Sequence, residues 1–253
     1  MSKKERIDKL LVERELAPSR QRAQALLMAG LVLVDDQPVS KAGARVSVDA
    51  AIRLRGKDHG FASRGGLKLQ GALDRFAIDP TGRICADLGA STGGFTDCLL
   101  QRGAAKVYAV DVGYGQLAWK LRQDPRVVVM ERTNVRHMTG LPEPIELVVG
   151  DLSFISLKLV LPAIATLCGP SAELVLLVKP QFEVGRSSVG KGGLVTDPVA
   201  RAAAVQRVLA DAEAAGFSAR GDMVSPITGA KAGNVEYLIW LSSPAAPRGS
   251  PEG

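Results

Sequence analysis

The sequence predicts an α/β fold in which a mostly parallel, doubly wound sheet is preceded by a small α+β domain. From residue 84 onward, apolar strand-like segments alternate with segments of helical periodicity, which is the order of a parallel sheet with crossover helices. The earlier residues instead combine two short helical segments with short alternating ones. The segment RGKDHG at 55–60 separates the two patterns and is predicted to be a linker.

We therefore expect a small domain with its linker at 1–60, a large domain at 61–242 and a tail at 243–253. The tail consists almost wholly of small residues and proline, so it is predicted to be disordered.

In the small domain, apolar spacing predicts helices at about 5–14 and 20–28. Ser19 is the expected N-cap of the second helix, and Gly30 is expected to end it. The strand LVLV follows, and a later segment around Val48 alternates as in a second strand. These elements predict a compact unit of two helices packed on short strands.

The large domain is expected to contain seven strands, most of which alternate with helices. In chain order the predicted strands are ICADLGA, KVYAVDVG, VVVM, IELVVGDLSF, ELVLLVKP, FSARGDMVS and VEYLIWL. The predicted helices are FTDCLLQR, QLAWKLRQ, KLVLPAIATLC and DPVARAAAVQRVLADAEAAG. The last two strands have no helix between them, so we expect them to form an antiparallel pair at one edge.

The charge of the chain favours a polyanionic partner. The formal net charge is +6 and the isoelectric point is about 9.4. Residues 1–60 contain 12 basic and 8 acidic residues, whereas 61–253 contain 20 and 18, so most of the excess lies in the small domain. Aromatic residues make up only 4% of the chain, which argues against many base-stacking platforms.

Several classes of protein are not favoured by the composition. Three separated cysteines without a C-x-x-C motif and only two histidines give no support for a metal site. The chain starts without the apolar core of a signal peptide, and it has no run near the ~18 apolar residues of a membrane span. We therefore expect a cytoplasmic protein without a membrane segment.

A glycine-rich turn, in DLGASTGGFTD, follows the first strand of the large domain. In open α/β sheets ligands bind at this end of the strands. The dinucleotide fingerprint G-x-G-x-x-G is incomplete because Ser91 occupies its middle glycine position, and Asp87 would place a carboxylate beside a pyrophosphate. S-adenosylmethionine carries an ammonium and a sulfonium group and no phosphate, so a carboxylate suits it. Asp111, 22 residues after Gly89, stands where an acidic residue accepts from ribose hydroxyls.

We favour S-adenosylmethionine as the cofactor. The candidate cofactor-binding residues are Asp87, Gly89, Ser91, Gly93, Gly94, Phe95, Asp111, Asn134 and Asp151. In the structural alternative, Gly93 and Gly94 only permit tight packing of strand against helix, and Asp111 caps a turn. Asn134 is a candidate contact to the adenine edge or, alternatively, a turn residue.

Charged residues stand at the ends of three predicted strands: Asp151 after the fourth, Lys179 after the fifth and Glu236 at the start of the last. We expect Asp151 and Lys179 to face the same cleft, because unpaired burial of either is costly. A ribose 2′-hydroxyl has a high pKa and needs a base, which a lysine beside further positive charge can supply. The N-P-P-Y type of signature for base methylation is absent after the fourth strand. The alternatives are a structural ion pair and, for Glu236, a strand-edge charge.

These motifs together resemble the TlyA family of ribosomal RNA 2′-O-methyltransferases, some of which are labelled hemolysins. The resemblance covers nearly the whole chain and is carried, in order, by SRGGLKL, DLGASTGGFTD, DVGYGQL, DLSFISL, VKPQFE with VGKGG, and SPITGAKAGNVEYL. It implies a Rossmann-like class I methyltransferase sheet of the FtsJ type. It also implies that the first sixty residues form an RNA-binding module of the kind first described in the fourth small-subunit ribosomal protein.

The resemblance further implies a catalytic Lys-Asp-Lys-Glu tetrad, which matches Lys68, Asp151, Lys179 and Glu236. Lys179 is then expected to activate the 2′-hydroxyl, while Lys68 and Asp151 tune and position it and Glu236 orients a lysine or the ribose. By periodicity alone, Lys68 is a surface lysine after a glycine turn.

Basic residues in both domains are candidate contacts to ribosomal RNA. In the sequence they are Arg6, Lys9, Arg20, Arg22, Lys41, Arg64, Arg186 and Lys191. The alternative for the small-domain residues is a solvated basic face. With few aromatics, recognition is expected to use the RNA backbone and shape. The segment EVGRSSVGKGG is expected to be a mobile loop near the cleft.

Together with these motifs, the resemblance implies an S-adenosylmethionine-dependent methyltransferase acting on the 2′-hydroxyl of a nucleotide, expected to be cytidine, in ribosomal RNA of the small subunit, the large subunit or both. Two other classes stay open as alternatives: a membrane-active hemolysin and a non-catalytic RNA-binding factor of ribosome assembly.

Overall fold

The computed structural model describes residues 3–28, 30–54, 60–185, 188–229 and 233–244. The chain divides into two compact units, Met1–Ser63 and Arg64–Gly253. Most of the predicted linker at 55–60 and of the predicted tail at 243–253 lies outside the described residues, as does Arg186.

The small unit consists of two helices packed on short strands. Its elements are β1 (Lys4–Arg6), α1 (Ile7–Glu13), α2 (Arg20–Met28), β2 (Val32–Val34), β3 (Gln37–Pro38), β4 (Arg45–Ser47) and β5 (Ile52–Leu54). Strand β1 pairs with β4, and β2 pairs with β3 and β5, all antiparallel. The core contains Ile7, Leu11, Leu26, Leu27 and Val32.

The two helices of this unit begin and end close to the predicted residues, except that α1 begins later than predicted. Residues 4–6 pair with β4 as a strand, so α1 begins at Ile7 instead of residue 5. The Ser19 hydroxyl accepts a hydrogen bond from the backbone N–H of Arg22 at 3.1 Å, as expected of an N-cap. Gly30 has φ +68°, the left-handed conformation of a residue that ends a helix.

The large unit is a seven-stranded sheet with helices. Its strands are β6 (Ile84–Leu88), β7 (Lys106–Val110), β8 (Val127–Met130), β9 (Ile145–Gly150), β10 (Cys168–Val178), β11 (Ser218–Val224) and β12 (Tyr237–Ser242). Its helices are α3 (Gly65–Phe76), α4 (Gly94–Gln101), α5 (Trp119–Arg122), α6 (Leu161–Ala165), α7 (Pro180–Glu183) and α8 (Pro198–Ala214).

The strand order is β11-β12-β10-β9-β6-β7-β8. The five strands from β10 to β8 are parallel, and β12 and β11 add to them as an antiparallel pair at one edge. The predicted fold class and the antiparallel edge are confirmed. Because the chain runs from β6 outward in one direction and returns to β9 on the other side, the topological switch point lies between β6 and β9, where ligands bind in such sheets.

Several predicted elements differ from the structure. Strand β10 begins at Cys168, five residues before the predicted strand, and the single strand predicted around Val48 is the two strands β4 and β5. The helix predicted over QLAWKLRQ is only the four-residue α5, because Ala118 is still extended at ψ 137°. In KLVLPAIATLC, α6 begins at Leu161 since Pro162 is tolerated only in the first turn of a helix. The fourth strand ends at Gly150, and Phe154, with φ +64°, turns the chain away from the sheet.

None of the helices in the described ranges has the length and apolar character needed to cross a membrane. Over the same residues, no group of His, Cys, Asp and Glu side chains is arranged to hold a metal ion.

Candidate active site

Four charged side chains meet at the carboxyl edge of the sheet. Lys68 Nζ lies 2.6 Å from Glu236 Oε2 and 3.5 Å from Asp151 Oδ2. Lys179 Nζ lies 2.5 Å from Asp151 Oδ1. The charges therefore alternate along one chain of contacts, with each lysine beside a carboxylate.

Sheet pairing explains why three of these residues meet. Gly150 pairs with Leu176 of β10, so Asp151 leaves β9 close to the end of β10. Val178 pairs with Tyr237, which places Lys179, the next residue of one strand, opposite Glu236, the preceding residue of the other. Since β12 is antiparallel, its beginning lies at the edge where β9 and β10 end.

Lys68 reaches the cluster from α3, outside the sheet. Its position depends on a close approach at Gly71, one turn along the same helix, where an added Cβ would lie 3.0 Å from Pro226 Cγ. Helical residues three apart share a face, so the side of α3 that packs against Pro226 is also the side that carries Lys68 inward.

The cluster is largely shielded from solvent. Lys68, Lys179 and Glu236 are 7%, 9% and 3% exposed. The side chain of Asp151, between the two lysines, is 23% exposed. Buried charges of this kind persist only when paired, and the alternation of signs supplies that pairing. Asp151 is thus the most exposed of the four side chains.

Ser153 belongs to this cluster and was missed in the sequence. Lys179 Nζ donates a hydrogen bond to Ser153 Oγ at 2.6 Å. Ser153 is exposed, so the buried Lys179 has a hydroxyl neighbour that itself borders solvent. The available signal was its place two residues after Asp151, in a loop that follows a buried strand.

The glycine loop lies next to the cluster, against the backbone of Asp151. At Gly89, with φ +86°, an added Cβ would stand 2.9 Å from the Asp151 carbonyl oxygen. At Gly93, with φ +92°, an added Cβ would collide with the side chain of Leu121, so this glycine has the packing role of the structural alternative. Gly94 opens α4, and Phe95 is only 3% exposed, so the structure does not bring the predicted Phe95 side chain to a ligand.

Asp111 holds the turn after β7 to the glycine loop. Its Oδ2 accepts from the backbone N–H of Ser91 at 2.8 Å, and its Oδ1 accepts from that of Gly113 at 2.6 Å. These are the contacts of a turn cap. Each carboxylate oxygen keeps a second lone pair, which remains suited to a ribose hydroxyl.

Asp87 is fully buried beneath α4. One of its oxygens accepts from both the backbone N–H and the hydroxyl of Thr96, at 2.8 and 2.6 Å. Its other oxygen has no hydrogen-bond partner among the described residues. Burial raises the pKa of Asp87 to about 7, although the bonds from Thr96 act against this. A cationic ligand beside the loop would stabilise its charged form, so the carboxylates here fit S-adenosylmethionine better than a pyrophosphate.

Asn134 is part of a turn. Its Oδ1 accepts from the backbone N–H of Arg136 at 3.0 Å and caps the short 3₁₀ helix at Val135–His137. The structure therefore shows the turn role, and the adenine contact stays a prediction.

Several predicted RNA-binding residues of the small unit are paired with acids. The buried Asp8 accepts from Arg6 at 2.9 Å and from Arg20 at 3.0 Å, and these hydrogen bonds, Arg6 first, hold its pKa well below the usual range. Both arginines keep about half of their side chains exposed, at 46% and 56%. Gln24 also donates to Asp8, at 3.2 Å. The two guanidinium groups are thus held in fixed positions on one face.

The remaining candidates have different surroundings. Lys9 lies 3.1 Å from Glu5 and 3.4 Å from Glu13, so its charge is largely balanced. Arg22 donates to the carbonyl of Phe61 at 2.5 Å. Three further residues are exposed: Lys41 in the small unit, and Arg64 and Lys191 in the large unit.

The chain is similar to known proteins along nearly its whole length. Residues 61–243 match the model of the FtsJ-like methyltransferases, and residues 5–52 match the S4 domain. The 16S/23S rRNA (cytidine-2′-O)-methyltransferase TlyA of Mycobacterium tuberculosis is 52% identical over 95% of this chain and 91% of its own length. Hemolysin A of Brachyspira hyodysenteriae is 39% identical over 92% of this chain and 98% of its own. A solved structure of a protein named as a hemolysin, from Streptococcus thermophilus, is 42% identical, has a TM-score of 0.75 and is matched over 98% of this chain and 91% of that one.

Proposed function

Because the chain belongs to the FtsJ-like methyltransferase family and carries an S4 domain, we propose that it methylates the ribose 2′-hydroxyl of cytidine in ribosomal RNA. The observation that carries this proposal is the alternating cluster of Lys68, Asp151, Lys179 and Glu236 beside the glycine loop. The relative from M. tuberculosis bears that activity in its name and is similar over nearly the whole chain.

S-adenosylmethionine is the proposed methyl donor. When bound, it would supply an electrophilic methyl group whose bond to the positively charged sulfur breaks as the bond to the ribose oxygen forms, which leaves a neutral thioether. The glycine loop from Gly89 to Gly94 would hold this cofactor. The buried Asp87 would favour its ammonium group through charge and not by contact, and Asp111 would accept from its ribose hydroxyls. The glycine loop and Asp87 stand at the end of β6, beside the switch point between β6 and β9, and Asp111 follows the neighbouring β7.

Lys179 is the proposed base. Its Nζ already bonds to a hydroxyl, that of Ser153, at 2.6 Å, and a ribose hydroxyl entering from the exposed side would meet the same nitrogen. In its neutral form Lys179 accepts the proton of the 2′-hydroxyl as the oxygen gains the methyl group. Asp151, at 2.5 Å, then stabilises the ammonium ion that forms.

Lys68 and Glu236 act on this lysine through Asp151. The Lys68 ammonium shares the Asp151 carboxylate at 3.5 Å, which reduces the negative charge that Lys179 experiences. Glu236 fixes Lys68 from the other side at 2.6 Å.

The small unit is proposed to bind ribosomal RNA through its basic face. Arg6 and Arg20 are held by Asp8 with about half of each side chain exposed, which suits bidentate contacts to phosphates. Since the substrate is ribosomal RNA, we also propose a cytoplasmic location.

The decisive experiment measures transfer of labelled methyl from S-adenosylmethionine to ribosomal subunits and maps the product by mass spectrometry. Lys179→Ala should lose transfer while cofactor binding by titration stays within about twofold, since Lys179 stabilises mainly the transition state. Lys106→Ala is the matched control. Its pair with Glu143, at 2.5 Å, lies at the amino ends of the parallel strands, whereas the charged cluster lies at their carboxyl ends. Wild-type transfer by Lys179→Ala would refute the mechanism. Lysis of erythrocytes by a wild-type chain without transfer would favour the hemolysin alternative, and RNA binding without either activity would favour an assembly factor.

A further inference from the structure

Glu183 is a largely buried carboxylate at the end of α7 that the proposed chemistry does not use. Its Oε2 accepts a hydrogen bond from the Ser156 hydroxyl at 2.6 Å, and its Oε1 accepts from the backbone N–H of Leu157 at 2.9 Å. Burial raises its pKa in spite of these two bonds. Both donors belong to the loop after β9, so the carboxylate joins two segments that lie 26 residues or more apart in sequence.

Each of the two joined segments carries a member of the charged cluster. The loop that Glu183 binds begins at Asp151 and also contains Ser153. Helix α7 ends at Glu183, and Lys179 directly precedes it. Asp151 and Ser153 both contact Lys179 Nζ. The hydrogen bonds of Glu183 therefore join the two segments whose side chains make the contacts of Lys179 Nζ.

Two further contacts belong to the same junction. The rings of Phe154 and Phe182 lie 5.3 Å apart between centroids, one in each segment. Arg207 of α8 donates to the Glu183 carbonyl oxygen at 2.9 Å and so fixes the end of α7 to a long helix. The backbone of Glu183 is thus tied to α8, while its carboxylate binds the loop after β9.

The two segments have little internal structure to hold them. Helix α7 has only four residues, and the bonds at its ends run from Phe182 N–H to Lys179 O and from Val184 N–H to Pro180 O. Isolated helices of this length are unstable in water, so their position is set by tertiary contacts. The loop from 151 to 156 has no regular secondary structure.

We propose that Glu183 is a positioning residue that holds the Asp151 loop to α7 and thereby fixes Lys179 in reach of its partners. The inference deepens the proposed methyl transfer and rests on it for its kinetic consequence. Glu183 does not touch the reacting atoms. Its effect is on the geometry of Lys179 relative to Asp151 and Ser153. A displacement of Lys179 by about 1 Å can lower the rate of the chemical step by up to about a hundredfold.

The kinetic test compares Glu183→Ala, Glu183→Gln and Ser156→Ala. Glu183→Ala removes both bonds and should lower kcat at least about tenfold, with KM for cofactor and RNA within about twofold. Glu183→Gln should stay near wild type, because its amide oxygen accepts from Leu157 N–H and its NH₂ donates to the Ser156 hydroxyl. Ser156→Ala should lower kcat by an intermediate factor. The control is Glu213→Ala, an exposed residue of α8.

A second measurement does not depend on methyl transfer. Hydrogen exchange followed by mass spectrometry should show faster exchange in both joined segments, 151–157 and 180–184, for Glu183→Ala, and wild-type rates for Glu183→Gln. If the wild-type chain transfers no methyl group but this coupled exchange is seen, the positioning link stands and the proposed function fails. Wild-type kcat in Glu183→Ala, equal losses in the Ala and Gln variants, or faster exchange in α7 alone would each overturn the proposal.

Discussion

Replacing Lys68 by methionine should destabilise the large unit strongly. Glu236 is 3% exposed, and Lys68 Nζ, at 2.6 Å, is its hydrogen-bond donor within the described ranges. Removing one partner of a buried ion pair typically costs about 3–5 kcal/mol because the other charge stays buried. For a domain of this size that corresponds to a fall in Tm of about 6–20 °C.

The double variant Lys68→Met with Glu236→Met separates stability from function. Replacing both partners of a buried pair by apolar residues of similar size is often neutral or stabilising, so most of the lost Tm should return. Methyl transfer should not return, since Asp151 then faces Lys179 without the second lysine. As a control, Lys106→Met breaks a pair with Glu143 whose side chains are 39% and 29% exposed, which should cost less than about 1 kcal/mol.

Tryptophan fluorescence during heating is the suitable assay for stability. Both tryptophans, Trp119 and Trp240, lie in the large unit, so the signal reports on that unit alone. Equal Tm values for the Lys68→Met single variant and the wild type would refute the argument from burial. Methyl transfer by the double variant at the wild-type rate would show that Lys68 serves only as a partner of Glu236.

Two other predictions concern pH and salt. Burial raises the pKa of Asp87 from 3.8 to about 7, so the folded chain holds a proton that the unfolded chain releases in this range. The contribution of Asp87 to stability is therefore greatest below pH 4 and is lost as the pH rises to about 7. The Tm of Asp87→Asn minus the Tm of the wild type should therefore rise from pH 4 to pH 7. A constant difference would contradict burial as the cause of the raised pKa. In RNA binding, Lys41→Ala should reduce the slope of log affinity against log salt by about 1, whereas Lys9→Ala should reduce it less because Glu5 and Glu13 already balance Lys9. Equal slopes for the two variants would argue against a phosphate contact by Lys41.

Strand ends were the most informative feature of the sequence. Asp151, Lys179 and Glu236 each directly follow or precede an apolar strand, and parallel order together with one antiparallel strand places them at the same edge. Lys68 offered no such signal. Its place depends on how α3 packs at Gly71 against Pro226, a contact between residues far apart in sequence that no local pattern contains.

The hydrogen-bond partners of polar side chains also could not be predicted from the sequence. Asp111 and Asn134 have residue types suited to ligands, yet both accept from backbone N–H groups of nearby turns. Asp8 passed unnoticed among the basic residues of the small unit, although it is the residue that binds Arg6 and Arg20. Periodicity finds helices and strands, whereas these partners depend on the path of the chain between them.

The contact between Lys68 and Glu236 joins residues 168 positions apart, near the two ends of the large unit. Lys68 lies in its first helix, and Glu236 stands just before its last strand. During synthesis the cluster is therefore incomplete until almost the entire large unit has left the ribosome. A shortened chain that stops before Glu236 would retain the parallel strands and the glycine loop but would leave Lys68 without that carboxylate, so the same contact that assembles the site also distinguishes a complete large unit from a truncated one.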